Sequence, residues 1–293
     1  MKTEEIIDLF REEVPRPHSG PTHVWAVFWA NFKVFLSYKT WVITETMSTV
    51  ASIAMYSFMG LQVDASRVVG AGYGNVNWIA FALVGVATAN YLWMCTSRIS
   101  HSMQHEVSEG TLEPIVSSLI SMRSYIIGQS IRGFIVSAYF MLGALIIGVF
   151  ILKTPLIMTL ETVISFTAVL IMMIVSYAGI GIMAAGIILV YKKGDPLTFL
   201  LASVTEFLGG VLFPLKYLEG YPVLQAAAWA MPYTYALDAA RRILLMGATL
   251  TSPSVLSDLI VLLIYTVVFI PIGLRVFRWG CDRIRYEGTV ATY

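Results

Sequence analysis

The sequence predicts an all-α membrane protein with six transmembrane helices, an N-terminal interfacial amphipathic helix and an outer re-entrant helical hairpin between spans five and six. Of its 293 residues, 57% are hydrophobic and only 13% are charged, whereas an ordinary soluble domain carries about 25% charged residues. Its mean hydropathy is +0.75. The stretches without any Asp, Glu, Lys or Arg include 68–97, 133–152 and 162–191. Since about 20 apolar residues cross a bilayer as a helix, each of these stretches is long enough to span one.

The N-terminal region predicts two amphipathic helices ahead of the first span. Residues 4–13 are acidic, with Ile6, Leu9 and Phe10 on one side, and prolines follow them. Residues 24–36 carry aromatic and apolar side chains at helical spacing. That run is short for a span, which favours a helix lying on the inner leaflet; a distorted first span is the alternative. The start of the chain lacks the apolar core of a signal peptide, so we expect no cleaved targeting segment.

The apolar segments that follow define the spans. We place them at Trp41–Leu61, Trp78–Ser97, Tyr125–Leu152, 160–190, Leu197–Leu215 and Val255–Phe277. Pro271 is expected to kink the last of them. The predicted organisation is therefore cytoplasmic and interfacial helices (1–40), one six-span domain (41–277) and a cytoplasmic tail (278–293).

The distribution of basic residues predicts the orientation. Fourteen of the 19 lysines and arginines fall on segments that a cytoplasmic N-terminus would place inside. The other five fall on segments placed outside: Arg67, Lys153, Lys216, Arg241 and Arg242. Short loops on the cytoplasmic side are enriched in Lys and Arg. Both termini are accordingly predicted to be cytoplasmic.

Signatures of common enzyme and metal sites are absent from the sequence. It contains no GxxxxGK[ST] phosphate loop, no HExxH or CxxC metal motif and no GxSxG nucleophile turn. His101 and His105 have the i, i+4 spacing of a metal-binding pair, but a solvated helix face explains them better. The two cysteines, Cys95 and Cys281, form no disulfide framework. We expect a protein that is not itself an enzyme, with no catalytic residue, bound metal or cofactor.

The polar segment 105–114, between spans two and three, is the first informative motif. Gly110 is suited to ending one helix and Thr111 to capping the next, with Glu113 near the positive end of that helix. Together with the apolar Leu112, this predicts a short helix parallel to the membrane. It would display Glu106, Glu109 and Glu113 to the cytosol. An ordinary solvated loop remains the alternative at this point.

The second informative motif covers residues 206–247. The last residues of span five include Gly209-Gly210 and Phe213-Pro214, and the helix is expected to end over them. Pro222 and Pro232 each interrupt helical structure again. The segment is too broken to cross the bilayer, which predicts a hairpin that dips back toward the outer leaflet.

This second motif resembles the signature region of type-2 ATP-binding-cassette (ABC) permeases, the membrane subunits of many exporters. The family pattern has a run of small residues, then LFP, a Leu-containing linker with Pro, and P-x-T-Y-A-x-x-A-x-R. The matching positions are Gly209 to Pro214, Leu218 to Pro222, Pro232, Thr234, Tyr235, Ala236, Ala239 or Ala240, and Arg241 or Arg242. The linker departs from the Leu-Pro that the family often has.

The resemblance implies a permease subunit of an exporter in a prokaryotic inner or plasma membrane. ATP and Mg would be bound by a separate ABC ATPase subunit, and the other partners would be a second permease copy or paralogue and membrane lipid, with no nucleic acid. The residues implied in contact with the ATPase are Glu106, Glu109, Gly110, Thr111, Leu112 and Glu113. Those implied in the hairpin are Gly210, Phe213, Pro214, Pro222, Pro232, Tyr235 and Arg241.

Glu206 is the acidic residue closest to the middle of a predicted span. A carboxylate at that depth is expected to face protein or a water-filled path, which suggests a role in the pathway or in subunit contact. A purely structural hydrogen bond to Ser203 is the alternative. A secondary transporter or channel would need several such groups as a relay, and the other ionisable residues considered, Glu45, Arg132 and Glu161, lie nearer span ends. A structural membrane anchor is a third class, and the sequence does not select a substrate.

Overall fold

The computed structural model describes residues 20–60, 76–111, 114–115, 118, 120–191, 195–218 and 220–287. Within those ranges the chain is helical and contains no strand. The α-helices are α1 (Pro21–Ser37), α2 (Lys39–Gly60), α3 (Trp78–Ser108), α4 (Met122–Phe150), α5 (Leu160–Tyr191), α6 (Asp195–Leu208), α7 (Pro222–Trp229), α8 (Pro232–Met246) and α9 (Pro253–Glu287). The acidic helix predicted at 4–13 lies outside the described residues.

Four of these helices are long and apolar enough to cross a membrane. They are α3 over Trp78–Thr96, α4, α5, and α9 over Pro253–Arg283. This confirms a multi-pass membrane protein. α2, with 22 residues, is as long as a span but is not among the four. α6 has 14 residues, about 21 Å at the helical rise, and is shorter than a bilayer core.

The predicted fifth span ends earlier than expected. α6 stops at Leu208 rather than continuing to Leu215. Gly210, two residues on, has φ +72°, which a continuing right-handed helix does not allow. Conversely, α3 runs eleven residues beyond the predicted end at Ser97, because its polar last turns are helical although they are not apolar.

α5 and α9 pack along most of their length through paired glycines. A Cβ on Gly179 would lie 2.4 Å from the Phe269 carbonyl oxygen, and a Cβ on Gly273 would lie 2.2 Å from the Gly179 carbonyl oxygen. Seven residues further along each helix, Gly186 and Gly280 repeat the arrangement. The two backbones are therefore in direct contact, as in membrane helix pairs that associate through small residues.

α3, α5 and α8 surround the main core. Phe81, Met173, Tyr233 and Leu237 are each almost completely buried there. α1 packs separately against α4, where a Cβ on Gly128 would meet the Val27 side chain at 2.8 Å. The rest of α1 exposes large apolar side chains, among them Trp25, Trp29, Val34 and Leu36.

Candidate functional site

The 105–114 segment starts as the last turns of α3 and then reverses at Gly110. Gly110 takes φ +69°, a left-handed conformation that glycine adopts without strain. No atom lies within 4 Å of where its Cβ would be, so glycine is required for the backbone rather than for space. The Thr111 N–H donates to the Glu106 carbonyl at 3.0 Å and closes the turn. Leu112 and Glu113 lie outside the described residues.

The carboxylates of this segment differ in their surroundings. Glu106 is half-buried and accepts hydrogen bonds from the hydroxyls of Thr111 and Tyr125, the latter at 2.7 Å. Thr111 therefore bonds back to α3. Glu109 is exposed. Of the two described carboxylates, Glu109 is thus the one presented at the surface, while Glu106 holds the turn against α4.

Polar side chains continue this contact from α3 through α4 to α1. The Gln129 amide donates to the Tyr125 hydroxyl at 2.9 Å and to the Asn31 side-chain oxygen at 3.2 Å. Arg132 Nε donates to the Gln129 side-chain oxygen at 3.0 Å. Asn31 in turn donates to the Val27 carbonyl within α1. One hydrogen-bonded chain thus joins the Gly110 turn to the N-terminal helix.

Removing the Tyr125 hydroxyl should loosen this turn. Tyr125→Phe leaves Glu106 and Gln129 each without one partner, which costs about 1–3 kcal/mol where the groups are buried. We expect a lower midpoint of thermal unfolding and faster hydrogen exchange over residues 106–111. Tyr139→Phe is the matched control, because Tyr139 lies on the same helix but is 57% exposed. Equal exchange in the two variants would contradict a structural role for the Tyr125 hydroxyl.

The second predicted region is a helical hairpin whose breaks coincide with its glycines and prolines. After the Gly209–Gly210 turn, a 3₁₀ turn covers Leu215–Leu218. Pro222 and Pro232 lie at the first positions of α7 and α8. Proline is well suited there because the first helical N–H groups lack an intrahelical acceptor.

Arg241 of α8 holds this hairpin to the start of α3. Its side chain is 2% exposed. Its guanidinium donates to the carbonyls of Gly210 at 2.8 Å and Val211 at 2.6 Å, and to that of Phe81 at 3.3 Å. It also lies 3.3 Å from the centroid of the Phe81 ring, a cation–π contact. Arg241 is therefore a buried residue that holds the hairpin to α3, a contact called the tie below. The count of basic residues had treated it as a charge on an outer loop.

Gly85, one turn after Phe81, makes room for this tie. A Cβ there would lie 2.3 Å from the Val211 carbonyl oxygen and 2.6 Å from Arg241 Nη2. Beside it, the Tyr233 hydroxyl donates to the Gly85 carbonyl at 3.1 Å and lies 3.1 Å from the Thr88 hydroxyl. The hairpin is thus hydrogen-bonded to α3 at two positions, Phe81 through Arg241 and Gly85 through Tyr233.

The other predicted hairpin residues make contacts within the hairpin and with the end of α6. Pro214 is buried, and Phe213 contacts Phe207 edge to face at 6.3 Å. Tyr235 packs on Trp229 with ring centroids 5.5 Å apart, which joins α8 to α7. The Tyr265 hydroxyl of α9 donates to the Ala230 carbonyl at the α7–α8 turn.

Glu206 lies beside the hairpin but belongs to neither hydrogen-bonded group. It is exposed on α6 and lines a cavity of about 460 Å³ next to the α7–α8 turn. No hydrogen bond joins it to Ser203 or to any other residue the structure describes. The predicted structural bond to Ser203 is therefore not what positions it.

Both predicted regions are attached to one helix, α3. The hairpin binds at Phe81 and Gly85, and the Gly110 turn begins at Glu106. Twenty-five residues of continuous helix between Phe81 and Glu106 correspond to about 37 Å. A helix of that length is long enough to reach from one face of a bilayer to the other.

Sequence analysis missed Gly85, Asn31, Tyr125 and Gln129. Tyr125, Gln129 and Arg132 recur at i, i+4 and i+7, which places them on one face of an otherwise apolar helix. This spacing of polar residues was the feature of the sequence from which their contact could have been predicted. Nothing in the sequence near Gly85 distinguishes it from other glycines, because its neighbours come from α8 and the hairpin.

Comparison with known families gives a match over most of the chain. The family described as ABC-2 type transporter matches residues 22–245, from α1 to the last turns of α8. This range includes both the Gly110 turn and the hairpin that Arg241 ties. No curated protein gives a significant match. On the extent of the family match, the chain belongs to the ABC-2 type transporter family and is a membrane component of an ABC transporter.

Proposed function

We propose that this chain is the permease subunit of an ABC exporter that works with a separate ATPase subunit. That ATPase binds ATP with Mg and hydrolyses the ATP. A second permease copy or paralogue completes the path through the cell membrane. The observation that carries the proposal is α3, which bears the Gly110 turn at one end and the Arg241-tied hairpin at the other. A push on the turn would therefore move the hairpin as one body.

The exposed Glu109 is the proposed contact with the ATPase. Reversing its charge with Glu109→Lys replaces an attraction by a repulsion at that surface. We expect the complex to keep hydrolysing ATP while transport falls by about tenfold or more. Both rates are measured on the permease and ATPase purified together and reconstituted in vesicles.

Glu161→Lys is the matched control for this reversal, since Glu161 is also exposed but lies in the first turn of α5. It should leave both rates unchanged. Full coupling in the Glu109→Lys complex would refute the assignment of the turn. Transport by the permease alone, without an ATPase, would favour a secondary transporter or channel instead.

The proposed topology has six crossings, with α1 on the inner leaflet, both termini cytoplasmic and the α7–α8 hairpin re-entrant from the outer side. The exposed aromatic side chains of α1 support its interfacial position. The turns at Gly210 and Pro232 leave backbone groups that must be satisfied inside the membrane, and the Arg241 bonds do this for Gly210 and Val211.

Labelling of single cysteines tests this topology. Cys95 and Cys281 are not joined in a disulfide, and both are first replaced by serine. Cysteines introduced at Tyr217 and Arg242 should then react with an impermeant maleimide from the same, outer side. A cysteine at the exposed Asp282 should react from the inside only. Labelling of positions 217 and 242 from opposite sides would mean that the hairpin crosses the membrane.

A further inference from the structure

The cavity beside Glu206 has the size and lining of a site for a small organic molecule. Its volume of about 460 Å³ lies within the roughly 300–1,000 Å³ of known ligand pockets. Its walls come from α3, α5, α6, α9 and the turn between α7 and α8. It therefore lies next to the turn of the hairpin that α3 carries.

The carboxylate of Glu206 is the one charged group among the described residues that line this cavity. No lysine, arginine or histidine is part of that described lining. Phe199, Ser203 and Glu206 follow one another at i, i+4 and i+7 of α6, so one face of this helix supplies them all. A ligand in the cavity thus meets a negative charge without a protein cation to balance it.

The remaining walls suit a large apolar body with a positive charge. Four aromatic side chains, Trp93, Tyr177, Phe199 and Phe269, line the cavity. The faces of aromatic rings attract cations, and more strongly where water is excluded. Asn90 adds an amide that forms no hydrogen bond with any residue described by the structure.

We propose that this cavity binds amphipathic organic cations, with Glu206 as the counter-charge and the aromatic walls around the apolar body. Resting on the proposed function, this names the substrate class of the permease: a protonated amine or quaternary ammonium carried on an apolar skeleton. Such a molecule would enter from the bilayer or the cytosol and lie under the hairpin that α3 moves. The ammonium group belongs either to a soluble compound or to an aminolipid headgroup.

Two ions of the same shape and opposite charge test the proposal. Tetraphenylphosphonium and tetraphenylborate are measured by equilibrium dialysis against the full chain in phosphatidylglycerol nanodiscs, with empty nanodiscs subtracted. We expect the cation to bind and Glu206→Gln to weaken it about tenfold, as for the loss of one close charge pair. The anion should show no specific binding to either protein.

Glu45→Gln is the matched control, because it removes a carboxylate from α2 outside the cavity lining and should leave cation binding unchanged. Ser203→Leu, which fills part of the cavity, should also weaken cation binding. Competition by phosphatidylethanolamine would identify an aminolipid as the source of the ammonium group, and its absence a soluble compound. Equal binding of both ions, or unchanged binding in Glu206→Gln, would overturn the proposal.

The result of the cation-binding assay does not depend on whether the permease works with a separate ATPase. The binding assay uses the permease alone, so a failure to bind cations would leave the proposed role as a permease standing. A failure to associate with any ATPase would, conversely, leave the cation site standing.

Discussion

Replacing Arg241 should prevent the protein from folding stably, although its neighbour Arg242 should tolerate the same change. Arg241→Met removes the donor to three carbonyls, at Gly210, Val211 and Phe81. In an apolar interior, leaving such acceptors unpaired costs about 1–3 kcal/mol each, so we expect a loss of about 3–5 kcal/mol in total, as for a broken buried charge contact. That is a large share of a typical folding free energy.

Size-exclusion chromatography and thermal unfolding in detergent measure this loss. Arg242→Met is the control, because Arg242 pairs with Asp238 at 2.9 Å with side chains 34% and 13% exposed. Pairs that remain in contact with solvent contribute about 0–1 kcal/mol. Gly85→Ala should resemble Arg241→Met, since its Cβ would occupy the space of the guanidinium. Equal stability of the two arginine variants would refute the tie.

The second large effect concerns the paired glycines of α5 and α9. Gly179→Leu places a side chain where the Phe269 backbone lies 2.4 Å from the Cβ position, and that backbone cannot give way as a flexible side chain could. Overpacking of a close interface costs about 1–3 kcal/mol or more. We expect the two helices to separate locally and the monodisperse yield to fall sharply.

Gly143→Leu provides the matched comparison for this change. Gly143 also lies within a long apolar helix, α4, but no atom is within 4 Å of its Cβ position. Since glycine is a poor helix former and this position is unobstructed, Gly143→Leu should be neutral or stabilising by up to about 1 kcal/mol. Similar losses at positions 143 and 179 would refute a specific role of the α5–α9 contact, because leucine is a better helix former than glycine at both positions.

Apolar stretches predicted the helices well but not where they end. The uncharged runs at 133–152 and 162–191 correspond to α4 and α5. α3 continues to Ser108 because hydrogen bonds along a helix do not depend on apolar side chains. α6 stops at Leu208 because backbone conformation at Gly210, and not hydropathy, decides its end.

The sequence predicted which segments form the candidate site, but not the hydrogen bonds that join those segments to other helices. The motif placed Arg241 and the prolines in one hairpin, yet the charge count treated Arg241 as a loop cation. Its bond to Phe81 spans 160 residues, and such a contact leaves no trace in local spacing. Likewise, Glu106 was expected to face the cytosol beside Glu109, but its partner Tyr125 lies on the next helix.

The long interval between Phe81 and Arg241 has a consequence for biogenesis. At about 5–20 residues per second, translation of the 160 residues between them takes roughly 8–32 s. Throughout that time the space beside Gly85 that the Arg241 guanidinium fills in the finished chain, here called the groove, lacks that guanidinium. Closure of the groove therefore marks completion of the nascent chain as far as α8. A chain released before Arg241 lacks the tie, so membrane quality-control proteases would meet it with that groove still open.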